Sequence, residues 1–414
     1  MDSLDLFSAE AYASVRKPLL EASCLPPHCY TSEDFYRREV KELFARHWQF
    51  VGREEQLAEV GSYFCFDGPA GAVILVRGED ARIRAFANSC RHRGARLLHD
   101  RGGCRRIVCP YHSWCYRLDG RLIAAPGMEQ TRQFDHADFA LLELAVSAWN
   151  GFLFIHYQQD PPPLSQHIGN MAELFAAHDC GAMRLARSLE FEIASNWKLL
   201  AENALEAYHT GSVHRETLGQ QASRAIAASG NWTGLLVEDE DSVATLPGEK
   251  NPFPWIAGLG AEARAGAYFT LCYPSTQFVF AQDCSWWLAF LPLAVDRTRL
   301  TIGACFPQAT MDRPDFDGGV QAYFDRWRRA TAEDNAICEQ QQLGQAVARP
   351  PGRFAASEFA VHASTTGCST SCSKRRGQAV DQRGRGDRMS GKTICSCSRL
   401  HRVVEDKPMQ HGSA

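Results

Sequence analysis

Two short segments, Cys90-Arg91-His92 and Cys109-Pro110-Tyr111-His112, constrain this chain more than any other feature. Sixteen residues separate His92 from Cys109, so two Cys-His pairs sit on two short loops. Thiolates on one side and imidazoles on the other suit an asymmetric two-iron, two-sulfur cluster, in which two His replace two Cys on one iron. Neutral imidazole removes negative charge from that iron and raises its reduction potential. The same four residues also satisfy a Cys2His2 zinc site, although Cys-x-His is a poor zinc loop.

A chain of 414 residues with 45% apolar content supports two or three domains with substantial cores. A net charge of −4 offers no basic excess for nucleic acid, and no run of eighteen apolar residues suggests a membrane span. The start, Met1-Asp2-Ser3-Leu4-Asp5, is acidic where a signal peptide is basic. The 16 Cys are scattered, which favours reduced thiols and iron ligands over disulfides. A soluble cytoplasmic protein is expected. Cys65, Cys180, Cys272, Cys284 and Cys305 are expected to be small buried apolar residues.

Along the chain, residues 1–45 read as an arm and a helix capped near Thr31-Ser32-Glu33-Asp34. Residues 46–150 show short apolar runs punctuated by Gly, an all-β pattern, and Pro161-Pro162-Pro163 ends that domain as a stiff linker. Ser195 then fits the N-cap of an amphipathic helix carrying Trp197, Leu200, Ala201, Ala204, Leu205 and Tyr208 to a break at Gly211. Residues 216–260 read as irregular, long enough for a substrate-lining loop. Residues 267–307 alternate as strands, and Phe316 to Gln342 forms a charged helix.

The second site lies on the middle helix. Glu206 and His209 share a face at i, i+3, and His214 follows the Gly211 break. A carboxylate and two imidazoles suit mononuclear non-haem iron(II) with open positions for dioxygen. Trp232, Trp255, Tyr268, Phe269, Tyr273, Phe280, Trp286 and Trp287 could supply an aromatic wall for a bound molecule, although most of them are expected to be strand core.

Asn196-Trp197-Lys198, Glu202-Asn203, Glu206, Tyr208-His209 and His214, following the Cys-His loops with His-Arg-Gly after the first and Ser113-Trp114 after the second, resemble the α subunits of Rieske non-haem iron oxygenases. Glu206 and Glu202-Asn203 look more like the choline and glycine betaine monooxygenase branch than the naphthalene-type dioxygenases. The resemblance covers about residues 25–363. It implies an α+β fold, with a β-rich Rieske [2Fe-2S] domain plus a catalytic domain of curved antiparallel sheet packed by helices, of helix-grip type. The divisions are then 1–45 (arm and helix), 46–160 (Rieske), 161–363 (catalytic) and 364–414 (tail).

By the same resemblance Cys90, His92, Cys109 and His112 hold the [2Fe-2S] cluster, and His209, His214 and Asp334 hold mononuclear Fe(2+), with Glu333 the competing carboxylate. Glu206 is implied to be a bridge from a cluster His of one subunit to an iron His of its neighbour, which implies a homotrimer. The implied activity is that of a terminal oxygenase. It takes electrons from a separate NAD(P)H-dependent reductase, directly or through a ferredoxin, and uses O2 to hydroxylate or oxidatively demethylate a small organic substrate. A quaternary ammonium compound is one candidate; an aromatic compound or aromatic acid attacked by a ring-hydroxylating dioxygenase is the other. An electron carrier with the cluster alone, or an inactive binding module, are the competing classes.

The last segment departs from this pattern. Residues 364–414 hold no Phe, Trp or Tyr, and ten Lys/Arg against four Asp/Glu, a local +6 that leaves −10 for residues 1–363. Such a segment cannot supply its own core and is expected to be disordered. The family's last helix implies Phe-His and Trp after Ala363. One choice of codons for Ser364 onward, shifted by one base, reads Phe-His-His-Trp-Leu-Leu-Asp-Gln-Leu-Leu-Glu. Two readings of the tail follow, the product of a frameshift or a genuine basic, disordered segment.

Overall fold

The computed structural model describes residues 6–373. Its first large unit is a seven-stranded antiparallel sheet in the order Gln49–Arg53, Phe152–His156, Glu143–Trp149, Ile83–Ala87, Gly71–Arg77, Ser62–Gly68 and Arg101–Gly103. A small sheet of Ile107–Val108, Cys115–Tyr116 and Leu122–Ala124 lies beyond it. The runs Val73 to Val76 and Phe152 to His156 are buried at every position, so this sheet is covered on both faces.

The second unit is another seven-stranded antiparallel sheet, in the order Met183–Ile193, Arg297–Pro307, Ser285–Ala294, Thr276–Phe280, Gly266–Cys272, Trp232–Glu238 and Ser223–Ala225. One face packs on helices through Leu235, Val279, Trp286, Leu300 and Ile302, which meet Trp197, Leu200, Tyr323 and Trp327. The other face packs on the first unit: Phe278 lies 4.7 Å from Phe152, and Trp287 lies 5.3 Å from Phe50 (centroid to centroid). Gly303 stands opposite Trp287 in the strand register, and a Cβ there would meet the indole at 1.9 Å, so only Gly permits that ring. The chain is thus an α+β protein: a β domain plus a catalytic-type domain of antiparallel sheet packed by helices.

Three elements differ from expectation. The middle helix spans only Trp197–Asn203, with Asn196 rather than Ser195 as N-cap; its side chain accepts the Lys198 N–H at 3.0 Å. Tyr208 is accordingly 68% exposed and outside any buried stripe. Residues 216–260 are not wholly irregular, because Trp232–Glu238 is a strand. Its run from Trp232 to Val237 is buried throughout and so lacks the alternation that marks a half-buried strand. The charged helix runs Phe316–Gln345.

The closing helix, Phe359–Cys372, crosses the expected boundary at 363, which corrects the disordered reading for residues 364–373. Its small side chains need no aromatic residues of their own. Cys368 and Cys372 pack into a cluster with Tyr12, Phe35 and Leu199, and Arg38 Nε donates to the Cys372 carbonyl at 3.0 Å. The rest of the expected tail, 374–414, lies outside the described residues. Cys180, Cys272, Cys284 and Cys305 are buried as expected, while Cys65 is half-buried. Among the described residues no helix is long and apolar enough to cross a membrane.

Candidate metal centres and active site

The first Cys-His loop leaves the strand Ile83–Ala87 and is shaped by one side chain. Asn88 Oδ1 accepts the N–H groups of Leu97 and Leu98 at 2.9 and 3.1 Å, and its Nδ2 donates to the Leu98 carbonyl at 2.8 Å. Within it, the Cys90 N–H donates to Ala95 O and the Gly94 N–H to Cys90 O. Gly94 turns at φ +72°, which favours glycine. The second loop is closed the same way, with the Cys109 N–H on Trp114 O and the Ser113 N–H on Cys109 O.

These loops bring the rings of His92 and His112 to 4.8 Å, and Trp114 stacks on His92 at 4.8 Å and 8°. Cys90 and Cys109 are buried, and the Tyr116 hydroxyl lies 3.3 Å from Cys90 Sγ. Nδ1 of both His92 and His112 is buried without a hydrogen-bond partner. Buried ring nitrogens rarely stay unsatisfied, and two that do so beside two buried thiols fit a metal group. Burial, followed by the neighbouring His112, holds the His92 pKa below its ordinary value, which favours the neutral ring that a metal requires.

The second site gathers residues from two places in the chain. After Asn203 the chain turns, and the Glu206 carboxylate accepts both the His209 main-chain N–H at 2.9 Å and its Nδ1 at 2.6 Å. His214 follows the short helix Thr210–Val213, and its Nδ1 lies 2.7 Å from Glu333 Oε2. The opposite nitrogens, Nε2 of His209 and His214, face Asp334 Oδ1 at 3.4 and 3.0 Å. One ligand atom from each of these three lies within 4.8 Å of the others, a spacing suited to one ion. Asp334 Oδ1 is buried, and despite those distances no hydrogen bond of proper geometry reaches it.

The charges are matched to a cation. Burial would lower the His209 pKa, but Asp334 and then Glu206 outweigh it and raise it to about 9. Burial likewise opposes Asp334, yet the two imidazoles bring its carboxyl down to about 2. Glu206 does not join the three converging groups; it supports His209 from the far side of the ring. Glu333 does the same for His214. The supporting role of Glu333 was missed in the sequence, where it appeared only as a rival to Asp334; its place one residue before Asp334 was the available signal.

The three groups open into a cavity of about 80 Å³. Of the eight aromatic residues expected as its wall, only Phe269 and Trp286 line it, joined by Trp327 from the long helix. Trp232, Tyr268, Phe280 and Trp287 point to the other face of the sheet. Tyr273 lies toward the closing helix, and Trp255 sits under Arg264, whose guanidinium carbon is 5.0 Å from its ring.

Comparison with known proteins matches a family model to each of the two units. The family model of the Rieske [2Fe-2S] domain matches residues 47–135, and that of the ring hydroxylating alpha subunit (catalytic domain) matches residues 181–366. The glycine betaine monooxygenase oxygenase subunit of Chromohalobacter salexigens is 34% identical over 195 residues, 47% of this chain and 44% of that protein. The carnitine monooxygenase oxygenase subunit of Acinetobacter baumannii is 32% identical over 193 residues, 46% of this chain and 52% of that protein. The match thus spans about half the length of these curated relatives. A solved quaternary ammonium Rieske monooxygenase shares the fold with a TM-score of 0.74 at 23% identity, over 84% of this chain and 95% of that one.

Proposed function

Because this chain belongs to the family of Rieske ring-hydroxylating oxygenase α subunits, we propose that it is the terminal oxygenase of a multicomponent system acting on a quaternary ammonium compound. When bound, the cluster relays single electrons and the mononuclear iron activates dioxygen. In this reading Cys90, Cys109, His92 and His112 hold the cluster, and His209, His214 and Asp334 hold the iron. Glu206 and Glu333 keep the two imidazoles oriented, with each Nε2 free of a proton for the metal. Phe269, Trp286, Trp327, Leu235 and Ile302 give the cavity an apolar wall that limits water at the reacting carbon.

The observation that carries the reading is the convergence of His209, His214 and Asp334 on one cavity, in a chain that also buries two partnerless His nitrogens beside Cys90 and Cys109. An electron carrier needs no such second site. The names of the curated relatives support the choice of a quaternary ammonium substrate and hydroxylation or oxidative demethylation as the outcome.

The partner is a separate NAD(P)H-dependent reductase, with or without a ferredoxin. A homotrimer is supported by exposed apolar groups at both centres, since Tyr111 beside His112 is 58% exposed and Tyr208 beside His209 is 68% exposed. There Glu206 would link its own His209 to a cluster His of the neighbouring subunit. A cytoplasmic setting is supported by the free thiols of the described cysteines. Reconstitution with a surrogate reductase, screened against quaternary amines and aromatic acids, tests the reading. Substrate-dependent O2 uptake with a quaternary amine is expected, and uptake only with aromatic acids would replace this substrate class by the other.

A further inference from the structure

Arg326 is the charged side chain of the cavity that neither the metal-binding groups nor their supports employ. It is 8% exposed and projects from the long helix beside Trp327, Ala330 and Asp334. Among the described residues it forms no ion pair, and its Nε is buried without a hydrogen-bond partner. Its guanidinium carbon lies 5.8 Å from the Trp286 ring centre. Asp334, the carboxylate whose charge it feels, forms no ion pair with it and faces the two imidazoles instead, at 3.4 and 3.0 Å.

A guanidinium is not neutralised in proteins, and burying one without an anion is costly. Burial does push this one down to about 10, which still leaves it protonated near neutral pH. A cation kept at that cost in the wall of a cavity awaits an anion from outside, and a planar fork suits a carboxylate. The geometry points to Arg326 as the receptor for a substrate carboxylate, which makes the substrate a small organic acid. Resting on the quaternary ammonium reading above, the full class is an ammonium carboxylate rather than an ammonium alcohol or a plain amine. Arg326 already covers Trp286, so the ammonium end is left with Trp327 and Phe269, away from the guanidinium that would repel it.

Calorimetric titration of the holoenzyme, anaerobic and without reductant, separates the two parts of this assignment. Glycine betaine, its methyl ester and benzoate are the probes. The account expects glycine betaine to bind at least tenfold tighter than the ester. Arg326→Met should lower glycine betaine affinity tenfold or more and leave the ester unchanged, and Arg326→Lys should recover part of the loss. The cluster absorption and thermal midpoint of each variant report its folding; if Arg326→Met does not fold, the wild-type ratio of acid to ester decides. Ester binding as tight as the acid overturns the Arg326 assignment while leaving the ammonium reading in place. Benzoate binding without glycine betaine binding supports Arg326 as a carboxylate receptor and overturns the ammonium reading. Binding of neither acid overturns the assignment.

Discussion

Glu333 Oε2 lies 2.7 Å from Nδ1 of His214, on the far side of the ring from Asp334, and accepts a second hydrogen bond from the Thr217 hydroxyl at 2.6 Å. Two consecutive carboxylates on one helix therefore act on opposite nitrogens of one imidazole. Loss of such an outer support typically costs about 10–100-fold in metal affinity. Glu333→Gln is accordingly expected to weaken iron binding by that amount, in competition with a chelator, while Asp334→Ala removes the iron. Unchanged affinity in Glu333→Gln would show that the contact does not orient the ring.

His209→Ala separates the two centres. The variant should retain the visible absorption of the cluster and lose turnover, because the residue stands among the converging groups of the cavity and not in the cluster loops. Residual turnover would place the iron elsewhere.

The Tyr116 hydroxyl lies 3.3 Å from Cys90 Sγ and can donate to a thiolate there. A donor stabilises the more negative, reduced form and so raises the potential. Tyr116→Phe should lower the cluster potential by tens of millivolts, taking about 59 mV for each 1.4 kcal/mol of a one-electron couple. A potential measured by redox titration that stays constant or rises would contradict this geometry.

Metal uptake should depend on pH with a defined sign. Without metal, His209 carries a pKa raised to about 9, so it is protonated at neutral pH and must release that proton to bind. Affinity for cobalt(II), a redox-stable probe, should rise with pH between about 6 and 8, approaching about tenfold per unit for one proton displaced. A flat profile would show that the ring is already neutral.

Lys198 Nζ and Glu39 Oε1 form a 2.7 Å ion pair at 3% and 0% exposure, tying the middle helix to the N-terminal helix Glu33–Glu39. Removing one member of a buried pair costs about 3–5 kcal/mol, whereas replacing both by apolar residues is often neutral. Lys198→Met should lower the thermal midpoint sharply, and adding Glu39→Leu should restore much of it.

How much was legible follows from the kind of signal each residue carried. The Cys-His loops were readable because ligand types at short spacing leave few alternatives, and His209, His214 and Asp334 because their order matched a family pattern. The helix end was misplaced because the helix stops at Asn203 with no Gly or Pro to mark it, and Glu206 then closes a separate local turn on the His209 N–H ahead of Gly211. The aromatic wall was overcounted because the catalytic sheet is buried on both faces, so an aromatic in a strand does not announce which side it faces. The closing helix was hidden because Tyr12 and Phe35, more than three hundred residues earlier, supply the apolar contacts it lacks.

Iron and acid-labile sulfide, measured together on anaerobically purified protein, test the central claim most directly. The account predicts three irons and two sulfides per chain, falling to two irons with the sulfide unchanged in His209→Ala. Two irons in the wild type, or zinc in place of iron, would contradict it.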